Sequence, residues 1–376
     1  MKTQIISIVL NNFKNDSRVL KENISLQNNG YNVKVIALHE EPLKEFDEVA
    51  NIAVHRIKLK TRNWSKNKLV QLLKYLEFVY QVVKQYKNSD IAHCNDLSAL
   101  PIGVIIKKFF NKKIKVVYDA HEYETELNGL HGIEKTLTKK LEKLLIKHAD
   151  KVITVSDSIA NEYVKLYSIP KPSLVLNTPP YKEITKKEIF RETLGIKENQ
   201  TIFLYQGGLS KGRGIEILLE TFQNIDDNKS VIIFMGYGTL ENIIKENTTK
   251  YENIYFHEAV NPDVLLNYTS SADFGISTIE NSCLSYYYCL PNKMFEYFMA
   301  DIPVIVSNLY EMKKIVEENH IGIVAKDNTP EGLQNAIKEA VKLDKDDLKE
   351  NIQKLKAVYN WEQQEKVLLK VYGELF

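Results

Sequence analysis

The sequence predicts an α/β protein of two domains, and three observations support this. Short apolar segments typical of buried strands alternate with segments of helical periodicity along the whole chain. The alternation restarts after Asn177-Thr-Pro-Pro180 and the polar run 182–187, which mark a linker. At 376 residues the chain is long for one hydrophobic core and suits two domains of ordinary size. We therefore predict two domains, each with a parallel sheet.

The first half begins with an apolar run, Ile5–Leu10, that lacks a small-residue cleavage site. We expect this run to be a strand and not a signal peptide. The other elements predicted here are a helix at Ser17–Asn29, a strand at Asn32–Ala37, a helix at Leu69–Gln85, a strand at Ile91–Cys94, an apolar segment at Leu100–Phe110, a strand at Ile114–Tyr118, a helix at Ile133–Ala149, a strand at Lys151–Val155, a helix capped by Ser156, and a strand at Ser173–Leu176.

The second half repeats the same pattern of strand and helix. Its first strand is followed by a glycine-rich turn, Gly207–Gly214. The elements predicted here are strands at Thr201–Tyr205, Val231–Met235, Ile254–His257 and Ile321–Ala325, helices at Ile215–Gln223, Pro262–Ser270 and Pro330–Leu343, and a helical final segment at Leu348–Phe376. The turn residues stand where strands end, which is where open α/β sheets bind ligands.

Composition excludes several classes of protein. Hydrophobic residues make up 44% of the chain and charged residues 26%, as in folded globular proteins. No apolar run approaches the roughly 18 residues that a membrane-spanning helix needs. The three cysteines, Cys94, Cys283 and Cys289, contain no C-x-x-C pair, so neither a disulfide framework nor a zinc site is expected. We therefore expect a cytoplasmic protein.

Charge is unevenly distributed along the chain. Residues 1–180 contain 28 Lys and Arg against 19 Asp and Glu, whereas the remainder is net acidic. Two basic runs stand out, 55–68 around Trp64 and 107–115 with two phenylalanines. Such runs suit peripheral contact with an anionic membrane, or they are solvated lysine-rich faces. No nucleic-acid-binding motif accompanies them, so we do not expect a nucleic-acid partner.

The stretch 272–306 is where we expect chemistry, since it reads as strand, polar loop, helix and strand. Pro291 suits the first turn of the helix, where its missing N–H has no intrahelical partner. Asn292 and Lys293 follow near unpaired N–H groups that could hold an anion. Glu296 lies one turn further along. The combination suits a nucleotide sugar, whose diphosphate takes the N–H groups while the carboxylate accepts ribose hydroxyls.

The same residues carry a family resemblance. Leu290-Pro-Asn-Lys-Met-Phe-Glu-Tyr-Phe-Met-Ala-Asp-Ile-Pro-Val-Ile305 resembles the donor-binding motif of retaining glycosyltransferases of family 4. The resemblance implies the GT-B fold, two Rossmann-like domains with parallel sheets facing across a cleft and a last helix that returns to the first domain. It divides the chain into an acceptor-binding domain 1–180, a nucleotide-sugar-binding domain 181–358 and a C-terminal helix 359–376.

Two positions depart from the family pattern. Members often have two glutamates eight positions apart, the second at the ribose and the first near the donor sugar. Glu296 matches the second, but Tyr288 stands in the place of the first. Its role passes either to Glu280 or to the loop backbone. Asp301 stands where the family usually has glycine.

The resemblance also assigns the glycine-rich turns. In the family an Arg and a Lys lie about five residues apart after the first strand of the donor domain. Here Gly208 takes the place of the Arg and Arg213 takes the place of the Lys. Lys211 is a substitute for the missing cation. Gly236 and Gly238 flank the nucleotide, and they lack the third glycine of a dinucleotide fingerprint. The implied donor-binding residues are Gly207, Gly208, Lys211, Gly236, Gly238, Val260, Tyr288, Leu290, Pro291, Asn292 and Lys293.

The first domain offers fewer candidates. Family members often have a histidine facing the donor sugar at the position of His121. The alternative is that His121 is a hydrogen-bonded loop histidine without a catalytic role. His93 lies inside a strand and is expected to be structural. Side chains at strand ends are expected to line the acceptor side: Asn12, Asp16, Asn95 and Asp96. The catalytic candidates of the whole chain are His121, Arg213, Glu296 and Glu280.

The resemblance implies a retaining, metal-independent glycosyltransferase that needs no cofactor beyond its substrate. A hexosyl or N-acetylhexosaminyl group would pass from a nucleoside diphosphate sugar to an acceptor hydroxyl. UDP is expected as the nucleotide of the donor in preference to GDP. Surface polysaccharide or a lipid-linked glycan is the expected product, made in the cytoplasm or at the inner face of the membrane. Two alternatives remain open: a nucleotide-sugar epimerase of the same fold, and a non-catalytic GT-B subunit that regulates a partner.

Overall fold

Two compact units make up the chain. The computed structural model describes residues 2–376, apart from the side chains of Lys345 and Asp346. Contacts within the backbone assign residues up to Val175 together with Glu365–Phe376 to the first unit, and Leu176–Gln364 to the second.

The first unit contains an eight-stranded sheet. Its strand order is β3-β4-β2-β1-β5-β6-β7-β8, and every neighbouring pair is parallel except β3 and β4. The strands are β1 Gln4–Ile8, β2 Asn32–Leu38, β3 Phe46–Val49, β4 Ile52–Ile57, β5 Ile91–Asn95, β6 Lys115–Ala120, β7 Lys151–Thr154 and β8 Ser173–Leu174. The predicted parallel sheet is thus confirmed, with one antiparallel edge strand.

Five helices belong to the first unit along its main part. They are α1 Ser17–Asn28, α2 Lys68–Tyr86, α3 Asp96–Ile105, α4 Gly132–Leu145 and α5 Asp157–Tyr167. The Asp16 carboxylate caps α1 by accepting from the Val19 N–H, and the Ser156 hydroxyl caps α5 as predicted. The apolar segment Leu100–Phe110 continues from α3 into a π-helical turn, Ile106–Phe110.

The hairpin β3–β4 is a correction to the sequence analysis, which assigned residues from His55 onward to a basic surface. Arg56 is 1% exposed. Its guanidinium donates to the Asn12 carbonyl at 2.8 Å, the Lys44 carbonyl at 3.0 Å and the Asp47 carboxylate at 2.7 Å. A buried guanidinium with three hydrogen bonds joins β4 to β3 and cannot contact a membrane.

The second unit contains a six-stranded sheet in which all pairs are parallel. The order is β11-β10-β9-β12-β13-β14. The strands are β9 Thr201–Gly208, β10 Ser230–Tyr237, β11 Ile254–Glu258, β12 Phe274–Ser277, β13 Val304–Val306 and β14 Gly322–Val324. Alternate strand residues enter two different hydrophobic clusters: Ile202 and Leu204 belong to one, and Phe203 and Tyr205 to the other. The sheet is therefore covered by apolar side chains on both faces, as a parallel sheet requires.

Nine helices surround this sheet in the part of the chain that the structure describes. They are α6 Ile189–Leu194, α7 Ile215–Gln223, α8 Glu241–Thr248, α9 Pro262–Thr269, α10 Leu284–Tyr287, α11 Asn292–Met299, α12 Tyr310–Asn319, α13 Pro330–Ala340 and α14 Lys345–Val358. Across both units, no helix in residues 2–376 is long and apolar enough to cross a membrane.

The final segment, predicted to be helical throughout, is broken into α14 and α15 Trp361–Gly373. The break is stabilised by Asn360, whose side-chain oxygen accepts from the Gln363 N–H at 2.9 Å. Residues 365–376 then belong to the first unit. There Tyr372 is fully buried, and its hydroxyl lies 2.5 Å from Nδ1 of His93.

We expect Tyr372→Phe to destabilise the first unit. The change removes the hydroxyl but keeps the ring, so Nδ1 of His93, inside a buried strand, loses its partner. Such a loss costs about 1–3 kcal/mol. Differential scanning calorimetry should show a lower Tm for the variant. The control is Tyr237→Phe, since Tyr237 is 65% exposed; equal Tm values for the two variants would contradict this role of Tyr372.

Candidate active site

The candidate site of the second unit lies at the carboxyl ends of β9 and β12, which are neighbours in the sheet. From β9 the chain proceeds outward to β10 and β11, and it later returns to β12 on the other side of β9. The strand order therefore reverses between β9 and β12. Open parallel sheets have their ligand-binding crevice at such a reversal.

The turn after β9 packs backbone against backbone. A Cβ atom on Gly236 would lie 1.9 Å from the Gly207 carbonyl oxygen, and one on Gly238 would lie 2.2 Å from the Leu209 carbonyl oxygen. The Leu209 N–H donates to the Tyr237 carbonyl at 2.9 Å, which joins the turn to β10. Close packing thus requires glycine at 236 and 238. Gly208, by contrast, is exposed and has open space where a side chain would lie.

The end of the turn contacts the segment that follows β12. Gly214 precedes α7 with φ at +76°, and a Cβ there would lie 2.4 Å from the Thr278 carbonyl oxygen. The Glu280 N–H donates to the Gly212 carbonyl at 3.1 Å. These contacts bring Glu280 and the glycine-rich turn together. Lys211 is exposed in the same turn.

Glu296 lies in α11 and is fixed from the end of β9. The side-chain amide of Gln206 donates to a Glu296 carboxylate oxygen at 2.5 Å, while the amide oxygen of Gln206 accepts from the Thr269 hydroxyl at 2.8 Å. Gln206 is itself 2% exposed. A buried, doubly bonded amide therefore orients the carboxylate that the sequence analysis singled out.

Two cationic side chains lie at the same end of the sheet. Nζ of Lys293 is 3.4 Å from the centre of the Tyr205 ring, and the Arg213 guanidinium carbon is 5.0 Å from the centre of the Tyr286 ring. Burial, and next the charge of Arg213, hold the pKa of Lys293 well below its usual range, although Glu296 opposes this. The charge of Arg213 disfavours the ammonium form of Lys293, so an anion bound near both side chains would stabilise both positive charges.

The other predicted donor-binding residues lie around the start of α11 or pack on the core. Val260 and Leu290 are partly buried against a core cluster of this unit. Pro291 is the residue before the helix, with ψ at 141°, so it precedes the first turn by one position; Asn292 is the first helical residue and is exposed. The Tyr288 ring lies 6.2 Å from that of Tyr310.

Asp301, where the family usually has glycine, has a structural explanation. Its backbone is left-handed, with φ at 61°, the conformation that glycine adopts most readily. Its carboxylate accepts from Nζ of Lys356 at 2.9 Å, and Lys356 is 0% exposed. A buried ammonium needs a partner. The aspartate therefore neutralises Lys356 and joins the end of α11 to α14.

In the first unit, His121 follows β6 and belongs to a network of ions. Its Nε2 lies 3.2 Å from a carboxylate oxygen of Asp119, and its Nδ1 lies 3.4 Å from the Asp96 carboxylate. Burial lowers the pKa of His121, but the charges of Asp119 and Asp96 outweigh burial and raise this pKa to about 9. The imidazole, 18% exposed, is therefore charged at neutral pH.

Arg18 balances the carboxylates behind His121. Its guanidinium donates to both oxygens of the fully buried Asp119, at 2.8 and 3.0 Å, and lies 3.1 Å from Glu22. Asp119 is stabilised as a carboxylate because the charges of Arg18 and His121 outweigh its burial and keep its pKa well below the usual range. Burial raises the pKa of Glu22 to about 7.

Glu22, Asp119 and His93 also place ligand atoms within 4.8 Å of one another, a group that could hold a metal ion. The Arg18 guanidinium already contacts both carboxylates. Since that cation supplies the positive charge a metal would bring, we interpret the group as an ion network. Whether the reaction needs a metal stays a prediction from the family resemblance.

The predicted acceptor-side residues make structural contacts within the first unit. The Asn12 amide donates to Glu40 at 2.7 Å. Asp16 caps α1. Asn95 is 2% exposed, and its amide donates to Ser7 and to the Ile8 carbonyl, both at 3.1 Å. The Asp96 side chain is 44% exposed.

Sequence reasoning missed Gln206, Arg18 and the role of Asp119. Each acts through a partner far away in the chain, since Arg18 and Asp119 are 101 positions apart and Gln206 and Glu296 are 90 apart. The available signal was weak: each is a polar residue beside an apolar strand or at the start of a helix, a pattern shared by many surface residues.

Comparisons with known proteins cover most of the chain. Residues 24–178 match the family described as Glycosyltransferase Family 4, and residues 186–356 match Glycosyl transferases group 1. The chain belongs to glycosyltransferase family 4. This family-4 glycosyltransferase is 23% identical over 325 residues to an uncharacterised glycosyltransferase of Methanocaldococcus jannaschii, a match that covers 82% of this chain and 80% of the relative.

Solved structures share the fold of this glycosyltransferase. Sucrose-phosphate synthase from Thermosynechococcus elongatus superposes with a TM-score of 0.81 at 17% identity, covering 100% of this chain and 99% of that one. Anabaena HepE in complex with UDP-glucose superposes with a TM-score of 0.74 at 14% identity, covering 99% of both chains. The predicted GT-B fold is therefore confirmed.

We expect the glycosyltransferase to lose stability in alkaline solution as His121 loses its proton. The pKa of His121 is about 9 in the folded protein, against an ordinary value of 6.5. Its contribution to stability is therefore fully present below about pH 6.5 and is lost as the pH rises through about 9. Calorimetry should show that the Tm of His121→Gln depends less on pH in this range than the Tm of the wild type.

His131→Gln is the control, because His131 is exposed and makes only a local contact with a backbone carbonyl. Its Tm should follow the pH dependence of the wild type. A His121 imidazole that titrates close to 6.5 by NMR would show that the Asp119 network does not hold the proton.

Proposed function

We propose that this glycosyltransferase moves a sugar from a nucleoside diphosphate sugar to an acceptor hydroxyl with retention of the anomeric configuration. One observation carries the proposal: the oriented carboxylate of Glu296 and the two cations Lys293 and Arg213 lie at the reversal of strand order in the second sheet. A carboxylate suits ribose hydroxyls, and paired cations suit a diphosphate.

The two cations would act on the leaving group. As the bond from sugar to phosphate breaks, negative charge grows on the diphosphate, and preorganised cations stabilise that charge. Before the donor binds, burial and the charge of Arg213 lower the pKa of Lys293 and so favour its neutral amine. A bound diphosphate would favour the charged ammonium again. Protons would therefore be taken up when the donor binds.

The donor base and sugar are proposed more specifically from the fold relatives. Anabaena HepE was solved with UDP-glucose and with UDP. We propose UDP before GDP as the base, and a hexosyl or N-acetylhexosaminyl group as the sugar. The acceptor would be a surface polysaccharide or a lipid-linked glycan, with transfer in the cytoplasm or at the inner face of the membrane.

For the chemical step we propose attack on the same face that the diphosphate leaves. The acceptor oxygen forms a bond to the anomeric carbon while the bond to the leaving phosphate breaks, and that phosphate takes the acceptor proton. Tyr288 replaces the carboxylate that the family often has near the sugar. A trapped covalent adduct on Glu280 or Glu296 would instead indicate double displacement. His121 is retained as a catalytic candidate, tested by the activity of His121→Gln.

Glu296→Gln should weaken donor binding and lower turnover. The change keeps the size of the side chain but removes the charge that accepts ribose hydroxyls, and hydrogen bonds to charged groups contribute about 1.5–3 kcal/mol. We expect kcat/KM to fall by roughly 10- to 100-fold, the equivalent of that free energy. Glu246→Gln, an exposed glutamate of α8, is the matched control. Unchanged kinetics for Glu296→Gln would remove this residue from the donor site.

The donor can be found by thermal shift, because a ligand that binds only the folded protein raises the Tm. UDP-, GDP- and ADP-sugars are screened first, and NMR of the product then reports the anomeric configuration. Incubating the donor alone separates the alternatives: an epimer would indicate an epimerase, whereas slow hydrolysis that Arg213→Ala abolishes would support a transferase. If none of these donors raises the Tm of the protein, this result would favour a regulatory subunit.

A further inference from the structure

Helix α4 presents its apolar stripe to solvent. Ile133, Leu137, Leu141 and Leu144 follow helical spacing on one face and are 80%, 60%, 43% and 56% exposed. The face that packs on the unit buries Leu145 and also Glu142, whose carboxylate accepts from tyrosine hydroxyls. In an amphipathic helix of a globular domain the apolar stripe normally faces the core. An outward stripe indicates a partner.

Helix α2 has a second outward apolar stripe. The exposed residues recur at helical spacing and are Leu69, Leu72, Leu73, Leu76 and Tyr80, between 43% and 70% exposed. Both α2 and α4 pack on α3. Near their first turns Nζ of Lys68 lies 3.1 Å from a carboxylate oxygen of Glu134, which joins the two helices. The two stripes therefore belong to neighbouring helices of one unit.

The end of the π-helical turn adds two exposed rings. Phe109 is 75% exposed and Phe110 is 56% exposed. Nζ of Lys87, just beyond α2, lies 5.6 Å from the centre of the Phe110 ring. We name the exposed apolar residues of α2 and α4 together with Phe109 and Phe110 the α2–α4 surface. Such an exposed apolar collection on one unit marks an interaction site.

Lysines accompany this surface. Exposed lysines on α2, α4 and the neighbouring turns are Lys66, Lys68, Lys84, Lys87, Lys108, Lys112, Lys113, Lys140, Lys143 and Lys147. The acidic side chains of the two helices are engaged: Glu134 pairs with Lys68, Glu142 is buried, and Glu77 accepts from the Thr61 hydroxyl. The α2–α4 surface is therefore apolar and positively charged at once.

We propose that the α2–α4 surface binds the surface of an anionic lipid bilayer. Leucine and phenylalanine side chains would enter the boundary between headgroups and acyl chains, while the lysines contact anionic headgroups. A second copy of this chain fits less well, because a twofold contact would place one lysine-rich surface against another. This inference does not depend on the proposed donor or reaction.

The beginning of the first basic run, from Arg56 to Arg62, is a poorer membrane site. Arg56 is buried, Lys58 pairs with Glu45 at 3.1 Å, and Arg62 lies 3.4 Å from Glu40. Those acids offset the positive charge. The α2–α4 surface has both the apolar side chains and the less compensated lysines, so it is the part of the first unit that suits a bilayer.

The test is flotation of the full chain with vesicles of equal parts phosphatidylcholine and phosphatidylglycerol. We expect the wild type to float with these vesicles, more weakly at high salt, and not with pure phosphatidylcholine. Leu137→Gln/Leu141→Gln should reduce the partition coefficient tenfold or more. Lys140→Gln/Lys143→Gln should reduce it by about fivefold per lysine, the equivalent of about 1 kcal/mol for each cation near an anionic surface.

Ile243→Gln/Val264→Gln is the matched control, because these residues are 41% and 40% exposed on helices of the second unit. It should bind as the wild type does. All substituted side chains are exposed, so we expect each variant to fold. An unchanged Tm would verify this. Intrinsic fluorescence gives an independent signal: Trp64, just before α2, is 55% exposed whereas Trp361 is 7% exposed. Emission should shift to the blue with vesicles, and Trp64→Phe should abolish the shift.

Two results would overturn the proposal. One is a wild type that fails to float with anionic vesicles, or leucine variants that float as well as the wild type. The other is a dimer in lipid-free solution that Leu137→Gln/Leu141→Gln converts to a monomer, which would assign the surface to a second copy of the chain.

Discussion

The second unit depends on backbone segments that approach more closely than side chains would allow. The carbonyl oxygens of Gly207, Leu209 and Thr278 occupy the positions where Cβ atoms of Gly236, Gly238 and Gly214 would lie. These contacts fix the turn after β9 against β10 and against the segment after β12. The glycines are thus required first by packing, and the bare backbone that results is available to a phosphate. Lys293 approaches the same turn, because its Cε would lie 3.7 Å from a Cβ atom on Gly207.

The first unit solves a different problem, which is how to keep several charges inside a parallel sheet. Asp119 is fully buried at the end of β6, and an isolated carboxylate there would be costly. Arg18 compensates it with two hydrogen bonds, and His121 shares the remaining charge. The same balance keeps the His121 imidazole protonated. Removing one partner from such a network leaves another buried charge uncompensated, which is more costly than loss of the pair.

The two units also differ in how they treat apolar side chains. The second sheet is covered on both faces by buried clusters. In the first unit, the inner face of α4 buries Leu145 and a glutamate bonded to tyrosines, while Leu137, Leu141 and Leu144 remain exposed. An exposed apolar stripe of this kind marks an interaction surface. The basic first half and the acidic second half of the chain follow the same division.

The sequence by itself determined most of the strands, the parallel sheets, the position of the glycine-rich turn and the family, because these depend on periodicity and on residues adjacent in the chain. It missed the β3–β4 hairpin, the helices α6, α8, α10 and α12, and the break before α15, and it placed Arg56 on a surface. Only the tertiary structure decided that Arg18 pairs with Asp119, that Gln206 orients Glu296, and that Tyr372 contacts His93 across 279 positions. Such contacts join side chains whose local sequence resembles that of any polar surface residue, and packing alone selects the partner.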